Sequence, residues 1–74
     1  MKVEVRLFAT LRQNRFRKKQ LDSPEQVTVG EVLRQLHIDS QEVAIRLVNG
    51  RDATIERPLH ADDVVSLFPI VAGG

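Results

Sequence analysis

The side chains able to do chemistry by themselves are few and scattered. His37 and His60 each stand without a neighbour at ligand spacing. A place at the surface or at a helix end therefore suits them better than metal binding or catalysis. Asp62-Asp63 is an acidic pair without the oxygen-rich loop that a calcium or magnesium site requires, and it reads as a turn. Cysteine is absent. That removes disulfides, thiolate nucleophiles and Cys-based metal sites. The chain has neither a Ser-His-Asp set nor a phosphate-cradling glycine loop. The remaining candidate is the end of the chain, Pro69-Ile70-Val71-Ala72-Gly73-Gly74. Alone, a Gly-Gly end is only a frayed terminus. Glycines do, however, pass through narrow channels and adopt backbone angles barred to residues with a Cβ. Extended, the two add roughly 7 Å of reach.

Whatever this end does must be supported by a small scaffold. At 74 residues, the chain allows one domain, residues 1–74, with a thin core and no deep enclosed active site. The 42% apolar content supports packing, and the 28% charged content suits a soluble globule. Eleven basic and ten acidic residues leave a formal charge of +1. That field is too weak to point to nucleic acid or a membrane surface as partner. A fold with no covalent staple fits a reducing cytoplasm. No apolar run approaches the roughly 18 residues of a membrane span, and Met1 leads straight into a charged alternating pattern rather than a signal peptide.

The pattern along the chain alternates first. Val3, Val5 and Leu7 share one face and Lys2, Glu4 and Arg6 the other, which predicts a half-buried strand over Lys2 to Phe8. Phe16 to Leu21 reads as a second strand, placed at an edge because of Arg17, Lys18 and Lys19. Thr28 and Glu31 have the spacing of a capping box. Val29, Val32, Leu33 and Leu36 continue at helical spacing, predicting a helix of roughly three turns, with Gly30 a small cost in its first turn. Val43 to Val48 predicts a third strand with Val43, Ile45 and Leu47 on the core face, and Asn49-Gly50 a hairpin turn. Ala53 to Ile55 predicts a short fourth strand. Val64 to Ile70, the most apolar stretch, predicts a central strand. One helix must then cover one face of a four- or five-stranded sheet, an α+β arrangement.

This order of elements resembles the β-grasp fold of ubiquitin-like proteins, with a mixed sheet and one main helix. The opening VRLFATLR, the helix segment TVGEVLRQL, the hairpin VNGR and the ending DDVVSLFPIVAGG are similar to the small subunit of molybdopterin synthase and related sulfur carriers. The thiamine-pathway sulfur carrier shares the fold and the Gly-Gly end, but its tail usually lacks a pair like Phe68-Pro69. The resemblance implies a cytoplasmic carrier with a flexible tail. An E1-like enzyme uses ATP and Mg to adenylate the Gly74 carboxylate, a sulfur donor converts it to a thiocarboxylate, and a partner consumes the sulfur to build the dithiolene of a molybdenum or tungsten pterin cofactor. That partner would be the large subunit of molybdopterin synthase or an equivalent acceptor. The carrier itself would bind no cofactor or metal and supply no catalytic side chain. Ala72 and Gly73 would enter the partner's site.

Phase picks out the docking residues. Phe8 is out of step with Val3, Val5 and Leu7, Phe68 with Val65 and Leu67, and Val48 with Ile45. With the first and last strands parallel neighbours, Phe8 and Phe68 meet near the root of the tail. Together with Val48, Pro69 and Ile70 they are the expected partner surface, because an exposed apolar patch marks a docking site. The alternative is a minor core tucked against loops. The basic cluster of Arg12, Arg15, Arg17, Lys18 and Lys19 reads first as a solvated edge and second as a contact for an acidic partner. Without Tyr or Trp there is no platform for base stacking. Two other roles stay open at this stage: a protein modifier conjugated through Gly74, and a plain interaction module.

Overall fold

The computed structural model describes residues 1–70. The opening alternation becomes β1 (Lys2–Leu7), with Val3, Val5 and Leu7 buried. A single turn of 3-10 helix (Ala9–Arg12) follows. The chain then reverses through Asn14, whose φ is 58°. It returns as β2 (Lys18–Asp22), antiparallel to β1. The expected start at Phe16 is two residues early. Phe16 packs half-buried against the core, outside the strand, and the Leu7 N–H is taken by Arg17 O at 2.9 Å.

The helix α1 (Val29–Gln35) begins with the expected capping box. Thr28 Oγ1 accepts from the Glu31 N–H at 3.2 Å, and Glu31 Oε1 accepts from the Thr28 N–H at 3.3 Å. It runs two turns rather than three. The Ile38 N–H donates back to Leu33 O at 2.9 Å and the His37 N–H to Arg34 O at 3.1 Å. This Schellman pair closes the helix, with His37 in the left-handed region at φ 58°. Gly30 has a steric reason to be there. A Cβ at this position would sit 3.1 Å from Ile55 O, and the Gly30 N–H donates to that same oxygen at 2.8 Å.

A second 3-10 turn (Ser40–Glu42) leads into β3 (Val43–Val48), which turns through Asn49-Gly50 into β4 (Arg51–Asp52). Positive φ at both turn residues, 53° and 82°, fits the type I′ geometry that suits strand twist. The fourth strand is therefore nearer the turn than Ala53 to Ile55. Ile55 is instead drawn to Gly30. The last strand, β5 (Val64–Pro69), is central, parallel to β1 and antiparallel to β3. The sheet order is β2-β1-β5-β3-β4, the mixed β-grasp arrangement, and the helix buries Val29, Val32 and Leu33 in one core with the inner faces of β1, β3 and β5.

One expectation fails for a definite reason. The register steps from Val43↔Pro69 to Ile45↔Phe68, so Ala44 is an extra residue on β3. Such a bulge inverts the side-chain phase beyond it. Val48 is consequently in the core at 1% exposure rather than on the partner surface, and Ile45 and Leu47 leave the core for the open face.

Candidate functional site

The open face of the sheet near the end of β5 gathers the residues expected to dock. β1 and β5 pair in register with Leu7 opposite Leu67. The Phe8 N–H continues the ladder to Leu67 O at 3.2 Å. The next residues on each strand, Phe8 and Phe68, are thus forced side by side. Their rings stack with centroids 4.3 Å apart and planes 8° apart. Both are half-buried. Ile45, opposite Phe68 on β3, is 47% exposed and extends the apolar strip across the sheet. Pro69 is half-buried and pairs with Val43, and Ile70 is 55% exposed. The Ile70 N–H donates to Glu42 O at 3.1 Å, which ties the last described residue to the start of β3.

The segment after β1 explains its own composition. Phe8 supplies the ring, and Ala9 takes φ 53° to turn the chain. Leu11 is buried at 3% exposure beneath the turn. Arg12 folds back, its Nε donating to Leu7 O at 2.8 Å and its guanidinium resting 5.5 Å from the Phe8 centroid. One side chain therefore both caps the strand end and braces the aromatic pair.

Of the partner residues expected from sequence, Phe8, Phe68, Pro69 and Ile70 lie together at this end of the sheet, and Val48 does not. Gly74, Gly73 and Ala72 lie outside the described residues. Ile45 and Leu47 are the surface positions that sequence reasoning missed. Their alternation with Val43 looks the same with or without a bulge, so pattern alone could not place them. The basic cluster also splits. Arg12, Arg17 and Lys18 border Phe8 together with Arg6. Arg15 bridges the first 3-10 turn and the end of α1, donating to Leu11 O at 3.2 Å and to His37 O at 3.5 Å, and Lys19 lies 5.6 Å from the Phe16 ring.

At the opposite end of β5, the turn that leads into the strand is locked by one carboxylate. Asp63 is 8% exposed, accepting from the His60 N–H at 2.8 Å and from Asn49 Nδ2 at 2.9 Å. Burial alone raises its pKa, but the His60 and Asn49 hydrogen bonds, with the positive potential of His60 and Arg57, outweigh that and hold it below the ordinary carboxylate value. Asn49 Oδ1 also accepts from the Val64 N–H at 2.9 Å, joining the hairpin to the central strand. Among the described residues no three His, Cys, Asp or Glu side chains gather as a metal site, and no helix is long and apolar enough to cross a membrane.

The likeness to known proteins follows this architecture. The HVO 2177 protein of Haloferax volcanii is 33% identical over all of this chain and 87% of its own, with a TM-score of 0.79. SAMP1 from the same organism is 25% identical over the full length of both chains, at 0.77. A chain from the complex of subunits 1 and 2 of the molybdopterin-converting factor of Helicobacter pylori is likewise 25% identical over both full lengths, at 0.69. A sequence search of curated proteins gives no match. The model of the ThiS family matches residues 5–74, from within β1 through every later strand, the stacked rings and both final glycines, and the chain belongs to the ThiS family.

Proposed function

We propose that this protein is a sulfur carrier whose working group is the Gly74 carboxylate and whose sulfur goes to dithiolene formation in a molybdenum or tungsten pterin cofactor. The observation that carries the reading is the family match, which runs through Gly73 and Gly74 on a β-grasp scaffold. The likeness to a chain of the H. pylori converting-factor complex supports the pterin branch. The fold supports the reading mechanically, because β5 ends beside the stacked Phe8 and Phe68 rings, where a partner can grip the body and receive the end. In a first step a carboxylate oxygen attacks the α-phosphorus of ATP held with Mg²⁺ on an E1-like partner, and pyrophosphate leaves. Hydrosulfide then attacks the acyl carbon, AMP leaves with the bonding pair, the S–H proton is lost to solvent, and a thiocarboxylate remains. A carboxylate is a poor electrophile, so the AMP leaving group is what makes the exchange feasible. The thiocarboxylate is softer and more nucleophilic than its parent and is handed to the large subunit of molybdopterin synthase or an equivalent acceptor. The carrier contributes reach and thinness, not an acid or a base.

A second use of the same carboxylate is conjugation to lysines, which begins from the same adenylate. The likeness to SAMP1, a small archaeal modifier protein, favours keeping it in view. Intact-mass measurement of the protein isolated from its own cells separates the two. The carrier reading predicts a fraction with one oxygen replaced by sulfur. Isopeptide adducts alone would replace it with the modifier reading, and neither species would contradict both.

A further inference from the structure

Beside the stacked rings, Arg6, Arg12, Arg17 and Lys18 converge around Phe8 and line an open concavity of about 770 Å³. Four of the chain's 11 basic residues are thus concentrated at one spot on a molecule with a net charge of only +1. No carboxylate lines it, and among the described residues the one acidic contact to these four is Glu4 to Arg6. The pairing of β1 with β2 shows that this concentration opposes the fold. At one end of the ladder Lys2 faces Asp22 and bonds it at 3.1 Å, the stabilising choice. At the other end Arg6 faces Lys18, and like charges directly opposite destabilise a sheet. A local rule broken at one end of a strand pair and obeyed at the other points to a use for the charge. Arg12 is also pre-positioned. Its Nε is held by Leu7 O and its plane by the Phe8 ring, leaving the terminal N–H groups as a fixed fork of the kind that matches a carboxylate.

We infer that this concavity is a docking cleft for a carboxylate-rich segment of a partner protein, one that lays an apolar side chain on the Phe8–Phe68 strip and Asp or Glu side chains among Arg6, Arg12, Arg17 and Lys18. The inference rests on reading the Phe8–Phe68 face as a docking surface and adds the chemistry of what docks. Nucleic acid is disfavoured as occupant. The chain has no Tyr or Trp, Phe8 is already engaged by Phe68 and Arg12, and Phe16 by Lys19 and the core, so among the described residues no free aromatic platform adjoins the charge.

The test uses the full chain labelled for amide NMR and titrated with a capped peptide Glu-Glu-Phe-Asp-Glu. Parallel titrations use the peptide with each acid replaced by its amide, inorganic phosphate, and an oligothymidine. The acidic peptide is expected to give saturable shifts at Phe8, Arg12, Arg17 and Lys18 that weaken as salt is raised. Arg17→Glu and Lys18→Glu should each lower its affinity by about tenfold. Lys18→Glu should at the same time raise the melting temperature, since it would now face Arg6 with opposite charge. A loss of binding in that variant therefore cannot be blamed on unfolding. Equal binding of the amide peptide, tighter binding of phosphate or oligothymidine, or charge reversals without effect would each overturn the proposal. Phe68→Ala keeps the two readings apart: no loss of peptide binding there sinks the docking reading of the rings, whereas unaltered binding in the charge reversals sinks only the acidic partner.

Discussion

A single guanidinium holds the aromatic face in place: Arg12 caps the end of β1 through Leu7 O and lies against Phe8, which stacks on Phe68. The phase of Phe8 and Phe68 against their buried neighbours made this pair legible in the sequence, because a parallel register leaves adjacent out-of-phase residues nowhere else to go. Phe68→Ala should weaken binding to the proposed activating and sulfur-accepting partners by about 1–3 kcal/mol, as truncating an interface anchor does, while leaving the protein folded. Unchanged calorimetric affinity for both partners would contradict it. Asp63 was visible only as part of a turn. Its burial and its bond to Asn49 depend on two loops meeting, which no local pattern records. Its folded pKa lies below the ordinary 3.8. Its contribution is therefore complete above that value and lost as pH falls through the lower folded one. Denaturation midpoints measured from about pH 5 down to about pH 2 should fall more steeply for the wild type than for Asp63→Asn. Parallel curves would show that the carboxylate does not hold the turn.

Elements are most legible in the sequence where a signal is chemical and least where only length decides. The capping box of Thr28 and Glu31 and the Asn49-Gly50 turn stand where their side chains and φ preferences demand. The end of α1 is set otherwise. The helical pattern continues to Leu36, but the Schellman closure at Leu33 and Arg34 stops it, and it does so with a histidine where glycine is usual. The bulge at Ala44 is the larger surprise, since it exchanges Val48 for Ile45 and Leu47 on the open face. An alternating run reads the same in either phase, so only pairing with β5 reveals it. The strained helix end gives a prediction. His37→Gly relieves a left-handed L-residue at some cost in unfolded-state entropy, a net gain of about 0.5–1 kcal/mol. A higher guanidinium midpoint is expected, and a lower one would mean that the imidazole makes contacts that outweigh the strain.

At the scale of the molecule, one helix and one sheet share a single core, and the proposed function asks this scaffold to deliver a chain end. Leu33, 2% exposed at the centre of that core, should cost about 2–4 kcal/mol when cut to alanine, a large part of what a domain this size possesses. An unmoved denaturation midpoint would refute the helix-on-sheet packing. None of the buried core residues belongs to the Gly73-Gly74 segment whose chemistry is proposed, so changes there are expected to leave the denaturation midpoint near that of the wild type. One residue added after Gly74 shifts the carboxylate by about 3.5 Å and puts a foreign group where phosphorus must be attacked. Gly73→Val thickens the approach. The most direct test mixes wild type and each variant with the E1-like enzyme, Mg²⁺ and ATP, follows pyrophosphate exchange, and then adds sulfide and weighs the intact protein. The wild type should exchange and gain one sulfur in place of oxygen, and both variants, though folded, should do neither. If the extended chain still exchanges and still gains sulfur without being trimmed, the Gly74 carboxylate is not the working group.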